Sequence, residues 1–133
     1  MVLVYVEGRS IKATAGAAIT AGQLVELTGD ETVAPTSGAS SKVLGVAMKD
    51  AAAGEQVTVI TEGVVEVTAA GAISAGDLVQ SAANGQVEVF SATKTYTDSG
   101  GNTVSVDDVT MVVGRAITSA AAAGDKVKIK LEV

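Results

Sequence analysis

Hydrophobic and polar residues alternate along short segments of the chain, and glycine separates most of these segments. Residues 57–59 and 126–133 follow a two-residue period, which is typical of half-buried β-strands. Residues 64–67 and 87–90 carry a similar pattern. A long amphipathic helix, which needs a period of about 3.6 residues, is nowhere visible. The pattern therefore predicts an all-β protein, a small barrel or sandwich with short helical turns.

The same pattern occurs twice along the chain. An opening segment, Glu7-Gly8 with GAAITAGQLV at residues 16–25, returns as Glu62-Gly63 with GAISAGDLV at residues 71–79. The later segments that correspond are VLGVAM with VVGRAI and GEQVTV with GDKVKI. Order, spacing and residue type agree across nearly the whole chain, which indicates an internal duplication.

The duplication predicts how the chain is organised. We expect an N-terminal arm at residues 1–6, a first β repeat at residues 7–61 and a second at residues 62–133. The second repeat carries an inserted polar hairpin near residues 93–108, where the first has only a loop of small residues at 34–41. Both repeats fit one compact domain at this length. Because the copies differ at these two segments, their partner contacts can have diverged there, although a tolerated surface loop is the more ordinary interpretation.

Glycine positions predict the turns. Gly22 and Gly76 each stand two residues before a Leu-Val pair. They favour a tight turn or a positive φ before a buried strand. Gly29-Asp30 and Asn84-Gly85 are hairpin turn signals at similar places in the two copies. The alanine runs at residues 51–53 and 120–123, each stopped by a glycine, predict single capped helical turns.

Composition narrows the function. The chain has 133 residues and a net charge of −6, with 9 basic and 15 acidic residues, so it lacks the basic footprint of a nucleic-acid binder. Lys126, Lys128 and Lys130 alternate with apolar residues and are predicted to form the solvated face of a strand. No apolar run reaches the roughly twenty residues of a membrane-spanning helix. We therefore expect a soluble protein made in a cytoplasm, with neither nucleic acid nor membrane as partner.

The core must be built with few aromatic residues, since Tyr5, Phe90 and Tyr96 are the only ones and no Trp is present. Aromatic side chains normally supply large buried areas. Assembly into oligomers would bury more apolar surface and so compensate for a thin core.

Catalytic chemistry finds little support. The chain has no Cys and no His, which removes thiolate nucleophiles, the usual catalytic triad and the commonest metal ligands. Ser40, Ser41 and Lys42 leave a Ser-Lys arrangement open, but they lie in a loop without a companion motif. We predict no enzymatic activity and no cofactor.

Acidic residues near the inserted hairpin raise the question of a cation site. Asp98, Asn102, Asp107 and Asp108 offer oxygen ligands of the kind that calcium prefers, but their order does not match an EF-hand loop. A solvated acidic turn is the favoured interpretation, as it is for Asp30 and Glu31 in the other turn.

The N-terminal arm is apolar on both faces. In an extended strand Val2, Val4 and Val6 point to one side, and Leu3 and Tyr5 point to the other. Such a strand needs cover on both faces and does not suit a solvent-exposed sheet edge. Either it lies centrally in its own sheet, or it adds to a neighbouring chain through backbone hydrogen bonds. These five residues are our candidate contact with a partner protein or with another subunit.

The repeated segments also resemble a known family. Ile-Thr/Ser-Ala-Gly-Gln/Asp-Leu-Val, Val-Leu-Gly-Val-Ala, Ala-Ala-Ala-Gly-Glu-Gln-Val-Thr-Val and Glu-Gly-Val-Val-Glu-Val are similar to segments of the phage capsid cement proteins. These small proteins are often labelled RecA/RadA-family phage recombinases, a label that the missing Walker A motif contradicts. The resemblance covers about residues 7–133. It implies a β-rich virion protein, commonly a homotrimer, that sits on the outside of the head and bridges major capsid proteins.

Two other classes of function remain as alternatives. A head fibre or cell-surface module that binds carbohydrate is one, although scarce aromatic residues argue against a sugar platform. A small β-barrel enzyme or accessory domain is the other, and the missing catalytic residues argue against it.

Overall fold

The computed structural model describes residues 9–132 and, for the backbone alone, residues 4–7. In this part of the chain the regular structure is thirteen β-strands and one 3₁₀ turn, which confirms the all-β prediction. No helix in the same residues is long and apolar enough to cross a membrane. The strands are β1 Val4–Glu7, β2 Ser10–Ala15, β3 Leu24–Gly29, β4 Thr32–Pro35, β5 Val43–Ala47, β6 Gln56–Ile60, β7 Glu62–Thr68, β8 Leu78–Ser81, β9 Val87–Val89, β10 Thr93–Thr97, β11 Thr103–Asp107, β12 Val112–Ala116 and β13 Lys126–Glu132. The 3₁₀ turn is Val109–Met111.

Strands β2 to β6 close into a small barrel in the order β2-β4-β3-β5-β6. The closure is a parallel pairing of β2 with β4, in which Ala15 lies opposite Val33. A barrel this narrow has little interior space, so small side chains suit it. Its buried cluster is Ala13, Ala15, Ile19, Val25, Val33, Ala47, Ala51, Val57 and Val59.

The second half of the chain repeats this arrangement in an incompletely paired form. It forms a six-stranded sheet in the order β1-β7-β13-β12-β8-β9, in which β7, β8, β9, β12 and β13 take the places of β2 to β6. A single parallel bridge, Ala69 to Val87, joins the β7 and β9 sides of this sheet. The bridge stands where Ala15 pairs with Val33 in the first barrel, so the second copy is a barrel closed at one point.

The two copies also share their loop hydrogen bonds. Ile19 and Ala51 exchange backbone N–H···O bonds of 2.8 and 3.0 Å, and Ile73 and Ala120 exchange bonds of 2.9 and 2.8 Å. The alanine runs are therefore not helical turns, which corrects the sequence prediction. Their first residues, Ala51 and Ala120, are held in β-bridges. A tight turn with a positive φ at Gly54 or Gly124, rather than a helix, follows each bridge.

A repeated close approach explains one glycine in each copy. Gly45 in β5 and Gly114 in β12 both lie against the neighbouring strand, and a Cβ would overlap the carbonyl oxygen of Ile60 or of Lys130. Glycine alone permits this approach, because every other residue carries a Cβ.

Most of the predicted turns are confirmed. Gly22 and Gly76 have φ values of 89° and 96°. Asn84 and Gly85 both have positive φ, 62° and 67°, as a type I′ hairpin turn requires. In the corresponding turn of the first copy the positive φ is at Glu31, 49°, so that turn is Asp30-Glu31, one residue later than predicted.

The two copies are joined along continuous strands and through a shared core. Strand β1 pairs with β7, and β2 pairs with β6. The β1–β2 and β6–β7 segments therefore run side by side from one copy to the other. Where they cross, the Thr61 N–H donates to the Arg9 carbonyl at 2.8 Å. The larger buried cluster combines side chains of both copies. Its members from the first copy are Leu24, Val46 and Ile60, and those from the second are Val65, Val67, Ala69, Ile73, Val79, Val87, Val113, Ala116, Ala120, Val127, Ile129 and Leu131.

Candidate binding surfaces

The Ser-Lys arrangement does not form. The Ser40 hydroxyl oxygen accepts a hydrogen bond of 3.0 Å from the backbone N–H of Lys42, which is a local loop contact. Ser40 and Ser41 line shallow, open grooves together with Leu27, Val109 and Met111.

The acidic residues of the insertion are not brought together. Asp98 lies at the tip of the hairpin, where its carboxylate accepts backbone N–H bonds of 2.9 Å from Gly100 and from Asn102. Asp107 and Asp108 lie at the other end, the base of the hairpin. Among the described residues no group of three or more His, Cys, Asp or Glu side chains is placed to hold a metal ion. Asp98 thus stabilises its own turn, and the Asn102 backbone N–H is the main reason that the pKa of its carboxyl is lowered.

The predicted first-copy loop begins only after β4, and its residues 36–41 lie against the second copy. Thr36 is buried, and its hydroxyl donates to the Ala82 carbonyl at 2.8 Å. The Ser81 hydroxyl donates to the Gly38 carbonyl at the same distance. This loop therefore forms part of the seam between the two copies.

The inserted hairpin, β10 and β11, projects from the protein with every residue of both strands exposed. Its two faces differ. Thr95 pairs with Ser105 on one face, whereas Tyr96 pairs with Val104 on the other, followed by Val106. The exposed fractions of Tyr96, Val104 and Val106 are 59%, 60% and 42%. These three residues form an apolar patch in water, which we call the hairpin patch.

The base of the hairpin is held by Asp108, which is buried. Its carboxylate accepts from the Thr110 hydroxyl at 2.5 Å and faces the Lys94 ammonium at 3.6 Å. The Asp108 N–H donates to the Ala92 carbonyl at 2.9 Å, which closes the base through the backbone. The Thr110 hydroxyl bond is the main cause of the lowered pKa of the Asp108 carboxyl.

Sequence reasoning missed the hairpin patch, because it classed residues 93–108 as polar. The signal was the alternation itself. Tyr96 lies between threonines in β10, and Val104 and Val106 flank Ser105 in β11. In a two-stranded sheet such alternation puts all the apolar side chains on one face.

The N-terminal candidate residues are only partly described. Val2 and Leu3 lie outside the described residues, while the backbone of Val4, Tyr5 and Val6 forms most of β1. This strand pairs antiparallel with β7 of the same chain, Val4 opposite Val65 and Val6 opposite Val64. Strand β1 is an end strand of the six-stranded sheet, a position at which another strand can add.

Comparisons with known structures and protein families find proteins similar to this chain. The head fiber gp8.5 N base of bacteriophage phi29 has this fold, with a TM-score of 0.62, 23% identity and coverage of 93% of each chain. No curated protein sequence gives a significant match. The family model of the phage cement proteins matches residues 5–131.

The duplicated all-β fold and the family match point to the same class of protein. This chain is a structural protein of the phage virion. It belongs to the phage cement protein family.

Proposed function

We propose that this protein binds the outer surface of the phage head as a homotrimer and stabilises the contacts between major capsid proteins, with no catalytic activity. The match of the cement family model over residues 5–131 carries this proposal. In this proposal the protein is made in the host cytoplasm and then added to the exterior of the assembled shell.

The fold suits such a role for a physical reason. A cement must hold its shape while it is loaded from several sides, and interiors packed at crystal-like density transmit strain with little deformation. The two buried clusters fill the interior, and the loop at residues 36–41 ties the two copies by the buried hydrogen bond from Thr36 to the Ala82 carbonyl.

The direct experiment uses heads prepared without this protein. Purified protein at micromolar concentration is mixed with them and sedimented, and the temperature at which the heads break is measured with and without it. Binding that raises this temperature is the expected result. Light scattering on the free protein is expected to give the mass of three chains. A strict monomer that leaves the heads unbound would contradict the proposal.

The head-fibre alternative has support from the fold shared with the phi29 head fiber base. A fibre base has to attach to the head but does not have to stabilise it. The same experiment therefore separates the two functions, since a fibre base would co-sediment with the heads and leave their breaking temperature unchanged.

We further propose that Val2, Leu3, Val4, Tyr5 and Val6 contact the capsid or a neighbouring subunit. The support is the place of β1 at the end of the six-stranded sheet, where a partner strand can add through backbone hydrogen bonds. Deleting Val2 to Tyr5 is expected to weaken binding to heads and to leave a folded subunit. Unfolding of the truncated protein would instead assign β1 to its own core, and unchanged binding would remove it from the contact.

A further inference from the structure

Exposing the apolar side chains of the hairpin patch to water costs free energy unless another surface covers them. Two-stranded hairpins are marginally stable in water, and this one exposes Tyr96, Val104 and Val106 on a single face. The chain contains only two tyrosines, and one of them stands on this patch. Tyrosine is enriched at the centres of protein interfaces, because its ring buries a large area while its hydroxyl finds a polar partner.

The patch is also electrostatically quiet, although the chain has a net charge of −6. The ionised side chain on this face of the hairpin is Lys94, opposite Val106. It is half-exposed, and the Asp108 carboxylate at 3.6 Å offsets its charge. Asp98 is turned into its own loop by backbone hydrogen bonds. The surface that fits this patch is therefore apolar and uncharged, with an acceptor for the Tyr96 hydroxyl.

The size of the patch decides which partner occupies it. Two strands of five residues present a face about 17 Å long and about 10 Å wide, roughly 170 Å². A stable pair of proteins buries about 800 Å² on each partner. A second copy held by this face alone would dissociate. A shell that already holds the subunit at other points gains from a small added contact, because that contact forms within an existing complex.

From these observations we infer that the hairpin patch docks into an uncharged apolar hollow of the assembled shell, with Tyr96 as its anchor. The inference rests on the proposed attachment to the head and assigns one contact within it. The insertion occurs in only one of the two copies, so it also fixes which copy faces this hollow.

The test compares two double variants of the same hairpin. Tyr96→Ser with Val104→Ser removes the patch, whereas Thr95→Ala with Ser105→Ala changes the neighbouring cross-strand pair on the opposite face. Binding to heads that lack the protein is measured by co-sedimentation over a range of concentrations. We expect the patch variant to bind about 30-fold more weakly, the size of an interface hot spot, and the control to stay within about twofold of the unmodified protein.

Each other outcome overturns the inference in an identifiable way. Equal binding by the patch variant, with the unmodified protein bound, removes the patch from the contact and leaves the proposed function standing. Failure of the unmodified protein to bind heads overturns the proposed function and this inference together. If the patch variant alone breaks the free protein into smaller species in light scattering, the patch is a contact between subunits and not with the shell. Thermal unfolding of both variants shows whether the hairpin substitutions spare the two barrels.

Discussion

At the scale of single residues, Gly45 and Gly114 show how closely the strands approach. A Cβ at either position would overlap a backbone carbonyl, which cannot rotate away as a side chain can. We expect Gly45→Ala and Gly114→Ala each to lower the free energy of unfolding by about 1–3 kcal/mol or more. Urea denaturation followed by circular dichroism measures the change.

Gly71→Ala is the matched control for this prediction. No atom beyond its neighbours lies within 4 Å of a Cβ at Gly71, and its backbone does not adopt a positive φ. The control is expected to change the free energy of unfolding by less than about 1 kcal/mol. If Gly45→Ala were as stable as Gly71→Ala, the Ile60 carbonyl could not lie as close to Gly45 as the structure places it.

Asp108 gives a prediction for pH. The Thr110 hydroxyl, and less strongly Lys94, hold the pKa of its carboxyl below the ordinary value of 3.8. A group whose pKa falls on folding adds stability above its unfolded pKa and loses it as the pH drops through the folded one. We therefore expect the native protein to lose stability below about pH 4 more steeply than an Asp108→Asn variant, in urea unfolding measured across this range.

A second variant tests the assigned cause. Thr110→Val removes the main hydrogen bond and is expected to move the pKa of the Asp108 carboxyl back towards 3.8, as read from carbon NMR titration of that side chain. Parallel loss of stability in the native protein and in Asp108→Asn would show that this carboxylate has no part in the acid response.

At the scale of elements, the two barrels differ in how they close. In the first, the Thr14 and Gly16 N–H groups donate across the closure at 2.7 and 2.8 Å. In the second, the Ala70 N–H donates to Val87 at 2.7 Å beside the single bridge. We expect the amide of Ala70 to exchange with solvent faster than that of Gly16 in native-state hydrogen exchange, because fewer bonds must open.

The molecule supplies an internal control for this comparison. The Ile19–Ala51 and Ile73–Ala120 bridges have nearly the same geometry in both copies, so their amides are expected to show similar protection. Slower exchange at Ala70 than at Gly16 would mean that the second barrel closes more firmly than its pairing shows.

The elements also show what the sequence makes predictable. Local signals worked, since alternation located the strands, and glycine located the turns at Gly22, Gly76 and Asn84-Gly85. The alanine runs failed because Ala51 and Ala120 are bonded to partners far away in the chain, and such pairing overrides helix propensity. The pairing of β1 with β7, and the boundary between repeats, depend on register over long distances that a short pattern does not encode.

At the scale of the whole molecule, the shared core predicts one cooperative unit. Leu24 belongs to the first copy but is fully buried among residues of the second. We expect Leu24→Ala to lower the free energy of unfolding by about 2–5 kcal/mol without splitting the transition in calorimetry.

Ile19→Ala is the stricter companion variant, because Ile19 packs in the cluster confined to the first barrel. A single shifted transition is expected here too. Two transitions, one of them at the midpoint of the unmodified protein, would show that the barrels unfold independently.

The paired strands that cross between the copies have a mechanical consequence. β2 lies along β6 and β1 lies along β7, so two antiparallel chain paths pass from one barrel into the other. A force that draws the barrels apart along these paths is shared by two continuous backbones, and neither can lengthen unless a strand is sheared out of its barrel. A single flexible linker would simply straighten. The junction between the copies is therefore expected to resist extension and bending more than a single-chain linker would.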